Sequence, residues 1–315
     1  MLKLKAWLRR LVIAVVIVGV CVCVGGALAA PASGELRPPF RPEIKYARVG
    51  DIRLAYYTRG QGEPLLMING FLSTMSLWDP LMVEELASQH QLILFDNRGV
   101  GLSTDTPENH TTIAQMADDA AGLIRSLGYP KVSILAYSMG ARIGQQLLIR
   151  HPDLVAKAVL CAANPGGNQQ EPANADVEAR LNDPRTPEMD KIALTFTDNA
   201  AGRQAAKAVV ARLKAAVAAG IVPNDFKVSS QTIARQDRAR TVLWRNNTSN
   251  FEALKGIRVP VLVTDGRSDT IDPPRNAQLI ANQIPFAWLA FFDGGHAFLY
   301  QSYRKFADTV NVFLS

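Results

Sequence analysis

The residues best suited to chemistry gather around one serine. Ala136-Tyr137-Ser138-Met139-Gly140 follows the apolar run Val132-Ser133-Ile134-Leu135 and precedes a helical stretch from Ala141 to Arg150. That context reads as strand, sharp turn and helix, with Ser138 at the apex. A serine hydroxyl is a poor nucleophile at neutral pH and needs a base, which in turn needs a carboxylate to orient it. Ala136 and Gly140 are small enough for the strand and helix to cross closely. The pentapeptide alone also fits an ordinary buried strand-to-helix turn, so the rest of the chain must supply the partners.

The chain has four histidines. His90 ends a polar helix, His110 lies in a polar loop, and His151 stands before Pro152 where a helix stops. His296 differs: it lies in Asp293-Gly294-Gly295-His296-Ala297-Phe298, directly after the last strand, where a parallel sheet presents functional groups. It is the candidate base. For the carboxylate, three aspartates follow Val261-Leu262-Val263-Thr264. Asp265 adjoins the strand and suits a turn cap. Asp272 precedes Pro273 and suits a helix cap. Asp269, beyond the Gly266 turn, is best placed to reach the imidazole. An oxyanion formed during acyl transfer would need backbone N–H donors, for which Met139, after the serine, and Phe71, after Gly70, are the candidates.

The elements that must position these residues alternate. Strand-like runs occur at Ile52–Tyr57, Leu65–Ile68, Gln91–Phe95, Val132–Ala136, Val155–Ala162, Val259–Thr264 and Ala287–Phe292. The clearest helix spans Thr112 to Leu127, with a Thr112/Gln115 capping-box pair and a stripe that includes Ile113, Met116, Ala120, Leu123 and Ile124. Strands alternating with helices predict an α/β fold with a mainly parallel sheet covered on both faces. From about 164 to 250 no strand is evident and helical patterns take over, notably Ala200 to Ala219.

The chain has 315 residues and a formal net charge of +6. Lys3, Lys5, Arg9 and Arg10 contribute much of that excess, so the charge is poor support for nucleic-acid binding. The apolar run Leu11–Val24 and the Ala27-Leu28-Ala29 site complete the layout of a signal peptide over residues 1–30, with an uncleaved membrane anchor as the alternative. A secreted or cell-envelope location is expected, with a proline-rich linker over 31–44. Of three cysteines, only Cys161 lies beyond the leader, in a strand-like run that reads as core.

These segments resemble the α/β-hydrolase fold family over about residues 45–315. The signatures stand in the family's order: Asn69-Gly70-Phe71 with Trp78 downstream, Asp96-Asn97-Arg98-Gly99-Val100-Gly101-Leu102-Ser103, the turn around Ser138, and the Asp269 and His296 loops. The resemblance implies an eight-stranded sheet, a core of 45–163 and 251–315, and a helical lid over 164–250 inserted after the sixth strand. It also implies a purely structural role for Asp96–Ser103. Two positions depart from the family pattern: Asn69 stands where histidine is usual, and Ala136 where glycine is.

The resemblance further implies hydrolysis of a carboxylic ester, thioester or lactone. Ser138 would attack, His296 would relay protons and Asp269 would orient it, with no metal or cofactor. The expected partner is a small-molecule acyl substrate. A serine at 138 argues against haloalkane dehalogenases and epoxide hydrolases, which use an aspartate. Three alternatives stay open. One is a proline-iminopeptidase-like aminopeptidase, with Glu178, Glu188 or Asp190 holding an amine. Another is haloperoxidase or perhydrolase chemistry, and the third is a catalytically silent binding protein. Trp244, Phe196, Phe226 and Phe251 would line an apolar acyl pocket or form the lid's own core.

Overall fold

A computed structural model of the protein describes residues 40–315. The expected leader and most of the expected linker lie outside the described residues. Phe40 and Ile44, at the linker's end, pack onto the core, with the Phe40 ring 6.1 Å from that of Tyr57.

Eight strands form one sheet: β1 (Lys45–Val49), β2 (Ile52–Arg59), β3 (Glu63–Ile68), β4 (His90–Phe95), β5 (Val132–Tyr137), β6 (Val155–Cys161), β7 (Val261–Gly266) and β8 (Ala287–Phe292). Their spatial order is β1-β2-β4-β3-β5-β6-β7-β8. β2 runs antiparallel to both neighbours, and every pair from β4 to β8 is parallel. Seven strands match runs visible in the sequence. β1 has no such run because Ala47 is its only buried residue. Along β3 and β5, Leu66, Ile68, Ile134 and Ala136 face one side, while Leu65, Met67, Leu135 and Tyr137 face the other. Both sets are buried, as expected of central parallel strands.

One face is covered by α2 (Ile113–Ser126) and α3 (Met139–Arg150) together with α9 (Pro274–Gln283). The other is covered by α1 (Pro80–Ala87) and by α10 (Phe298–Gln301) and α11 (Tyr303–Leu314). Half of the expected capping box forms at α2. Thr112 Oγ1 accepts the Gln115 N–H at 2.9 Å, but the Gln115 amide turns forward and donates to Asp119 at 3.1 Å.

Between β6 and β7 the chain leaves the sheet. It forms α4 (Ala175–Asn182), α5 (Glu188–Ala193), α6 (Ala200–Ala218) and α7 (Ser230–Asp237), a π-helical turn (Arg238–Leu243) and α8 (Ser249–Ala253). In α6 the buried Ala206, Val209, Leu213 and Ala216 make one stripe, and Phe196 packs with the first three of these. The insert is tied to the Asp96–Ser103 turn: Gly101 N–H donates to Lys227 C=O at 3.0 Å and Thr232 Oγ1 to Gly99 C=O at 2.9 Å. Asp96 holds that turn in place by accepting the Met75 and Leu102 N–H groups at 2.7 and 2.8 Å. The segment is therefore scaffolding for the loops around the serine.

Candidate active site

The carboxyl ends of the parallel strands converge on Ser138. Ser138 follows β5 and has a φ of +58° and a ψ of −123°, an unfavourable backbone for a residue with a Cβ. Hydrogen bonds on both sides hold it there. Its N–H donates to Cys161 C=O, and its own C=O accepts from Ala141 N–H, each at 2.9 Å. The small neighbours are required sterically. A Cβ at Gly140 would collide with the Ile68 carbonyl oxygen, and one at Gly144 would lie 3.0 Å from Ala136 Cβ. Alanine at 136 thus fits, because the helix offers glycine opposite it.

His296 and Asp269 complete a connected triad. His296 Nε2 lies 2.9 Å from Ser138 Oγ, and His296 Nδ1 lies 2.7 Å from Asp269 Oδ2. An ionised carboxylate only accepts, so Nδ1 carries the proton and Nε2 is free to accept from the serine hydroxyl. Asp269 is fixed by the Ile271 and Asp272 N–H groups, which donate to its Oδ1 at 2.7 and 3.0 Å. Burial disfavours a charged imidazole, but the charge and hydrogen bond of Asp269 outweigh it, helped by Asp272. The pKa of His296 is raised above its ordinary value.

The other two aspartates do different work. Asp265 accepts the Gly266 N–H at 2.7 Å, and its second oxygen is buried without a partner among the described residues. Burial and the charge of Asp269 push its carboxyl well above the usual range. Asp272 pairs with Arg142, whose Nη2 donates to both of its oxygens at 3.2 and 3.0 Å. The remaining histidines lie elsewhere. His90 bonds Asn311 at 3.0 Å, His151 bonds Asp118 at 2.8 Å, and His110 is exposed in a loop.

Beside the serine, the β3 loop comes close enough that a Cβ on Gly70 would lie 3.1 Å from Ser138 Cβ. Asn69 shapes this loop by accepting the Gly70 N–H at 2.8 Å and donating to Thr74 C=O at 3.1 Å. The unusual asparagine therefore builds the turn. Leu72 N–H is taken by Gln236 Oε1 at 3.0 Å. Phe71 N–H, between these two tied amides, has no partner among the described residues. Met139 opens α3, so its N–H has no carbonyl one turn back to bind.

A cavity of about 260 Å³ opens over the triad. Its lining is more polar than the sequence suggests and includes Arg142, Asn164, Arg240, Thr241 and Arg245. None of Trp244, Phe196, Phe226 and Phe251 borders it. Trp244 is core, with its Nε1–H donating to Asn164 Oδ1 at 2.7 Å. Of the three acidic residues considered for amine binding, Glu178 borders the cavity, whereas Glu188 and Asp190 do not. Arg142 escaped the sequence reading although a signal existed: it is a cation in the first turn of the helix that follows the serine. Arg240 gave no such signal, because it stands on a π-helical turn where ordinary helical spacing fails.

Comparison with known proteins agrees with this geometry. A family model for the alpha/beta hydrolase fold matches residues 63–303. The chain is 32% identical over 248 residues to BpoC of Mycobacterium tuberculosis, whose name assigns it to the non-heme bromoperoxidases; the match covers 78% of this chain and 91% of BpoC. It is 27% identical over 257 residues to a poly(3-hydroxyalkanoate) depolymerase of Ectopseudomonas oleovorans, covering 80% and 84% of the two chains. A solved alpha/beta hydrolase fold protein from Chitinophaga pinensis superposes with a TM-score of 0.77 at 29% identity, over 87% of this chain and 98% of that one. With the fold, the triad geometry and these matches in agreement, the chain belongs to the α/β-hydrolase fold family of enzymes.

Proposed function

We propose that this enzyme is a serine hydrolase that cleaves a carboxylic ester, thioester or lactone through an acyl-enzyme on Ser138. The observation that carries this reading is the continuous Ser138–His296–Asp269 hydrogen-bonded chain at 2.9 and 2.7 Å. His296 Nε2 takes the proton as Ser138 Oγ attacks the acyl carbon. The resulting oxyanion lies toward the N–H groups of Phe71 and Met139, each such donor contributing about 2.7–4 kcal/mol in comparable sites. His296 then protonates the leaving oxygen or sulfur, and water, activated by the same nitrogen, releases the acid. Asp269 holds the tautomer throughout and stabilises the imidazolium.

The test is turnover of a short-chain p-nitrophenyl ester. The enzyme should release p-nitrophenol, and Ser138→Ala should abolish release; a fully active Ser138→Ala protein would refute the reading. The name of BpoC favours one second activity on the same triad. Hydrogen peroxide in place of water would attack the acyl-enzyme and release a peracid, regenerating Ser138. Peracid formation from acetate and peroxide, absent in Ser138→Ala, tests it. We also propose export, supported by the basic and apolar leader; detection of an intact Met1 peptide in the mature protein would count against cleavage.

A further inference from the structure

The cavity over Ser138 carries guanidinium groups that acyl transfer does not use. Arg142 is largely neutralised. Its Nη2 binds Asp272, its Nη1 donates to the Arg240 carbonyl at 3.1 Å, and Asn164 holds Asp272 from the other side at 2.5 Å. Arg240 is less completely matched. It stands on the π-helical turn, where Trp244 N–H bonds Ala239 C=O, and such turns recur at functional sites. Its guanidinium lies 4.1 Å over the ring of Phe71, on the loop beside the nucleophile. Its Nη2 donates to Asp237 at 2.8 Å, while its Nε, like that of Arg142, is buried without a partner among the described residues. Burial works against its charge, and the neighbouring Arg142 adds to this; Asp237 compensates only in part, so its pKa is lowered. Arg245, exposed two residues beyond the turn, borders the same cavity.

A cation that is half-buried and incompletely paired gains most from an anion that completes its hydrogen bonds. A carboxylate matches the planar guanidinium fork. Glu171 and Glu178 also border the cavity and are the anions that compete with this reading; Glu178 is exposed, where water screens its charge more than that of the half-buried Arg240, and Glu171 is half-buried. We propose that the site selects acyl substrates that carry a carboxylate in addition to the scissile bond. Arg240 is the principal contact, Arg245 assists, and the Arg142–Asp272 pair forms the fixed floor. This rests on the serine-hydrolase reading above.

Two matched pairs of esters test it. Ethyl hexanoate and monoethyl adipate differ by a carboxylate on the acyl side. Butyl acetate and 4-acetoxybutanoate differ by one on the alcohol side. In a pH-stat assay, the charged member of at least one pair should have the higher kcat/KM by about ten- to a hundredfold, the range of hydrogen bonds to a charged group. Arg240→Gln should cut that ratio by about tenfold or more, chiefly through KM, with Arg240→Lys intermediate. Arg245→Gln, at an exposed position, should lower the ratio by a smaller factor, and it decides the matter if the Arg240 variants do not fold. Preference for the neutral ester in both pairs overturns the proposal. So does a ratio unchanged in the arginine variants, or a preference for amine-bearing esters, which would point to Glu171 or Glu178. Those results leave the hydrolase reading intact. If none of the four esters is cleaved and a fluorophosphonate does not react, the hydrolase reading itself fails and the proposal falls with it.

Discussion

Asp269→Asn is the substitution that separates orientation from mere packing at this site. The two oxygens of Asp269 have unequal duties. Oδ1 accepts two backbone N–H groups, from Ile271 and Asp272, and Oδ2 accepts the His296 Nδ1–H. An asparagine must therefore keep its carbonyl oxygen at the Oδ1 position, since an NH2 there would face two donors. Its NH2 is then forced toward His296 Nδ1, which must accept, and the ring proton moves to Nε2. In that tautomer Nε2 donates to Ser138 Oγ and cannot take its proton. The backbone anchors survive, so the variant should fold, while kcat should fall by about 10⁴. At ~1.36 kcal/mol per decade this is about 5 kcal/mol of lost transition-state stabilisation. Steady-state kinetics on a p-nitrophenyl ester, with circular dichroism and thermal melting to confirm the fold, measure it. A loss of less than about tenfold in a folded variant would refute the argument from tautomer control.

Other outcomes follow from the same geometry. The raised pKa of His296 puts the protonated, inactive base higher on the pH scale, so kcat/KM should decline as pH falls through a midpoint above the ordinary 6.5; a midpoint below 6.5 would contradict the dominance of Asp269 over burial. Asp265 turns to the Gly266 amide and not to His296, so Asp265→Asn should change ester kcat/KM by no more than a small factor; a loss comparable to that of Asp269→Asn would reassign the carboxylate. Gly140→Ala pushes a Cβ into the Ile68 carbonyl and to 2.7 Å from that of Asn69, and should destabilise the fold by about 1–3 kcal/mol or more in urea unfolding.

Much of the site was readable in the chain because a parallel sheet concentrates function at one edge. Ser138, His296 and the Gly70 loop each follow an apolar run; β3 and β5 are legible because they are buried on both sides, and β8, at the sheet edge with only Phe292 buried, because its residues are apolar throughout. Asp269 could be ranked above Asp265 and Asp272 only by its distance past the strand. What separates the three in the structure is side-chain direction and partner, namely His296, the Gly266 amide and Arg142. β1 left no trace because one buried residue makes no pattern. The cavity wall was illegible for a different reason. Several of the polar residues that line it, Asn164 and Arg240 among them, come from the insert, where packing between helices and the π-helical turn decide which side chains point inward. Of the aromatic residues considered for the pocket, Phe196 and Trp244 followed the commoner rule and became core, and Phe251 packs against it.

The central claim is that Ser138 is a nucleophile activated by His296. Its most direct test is active-site titration with a fluorophosphonate, read by peptide mass spectrometry on the native enzyme. The account predicts one label per chain, on Ser138, formed rapidly in the wild type and very slowly in His296→Ala. A label on any other residue, no label on the folded wild-type protein, or equal labelling rates in the two proteins would contradict it.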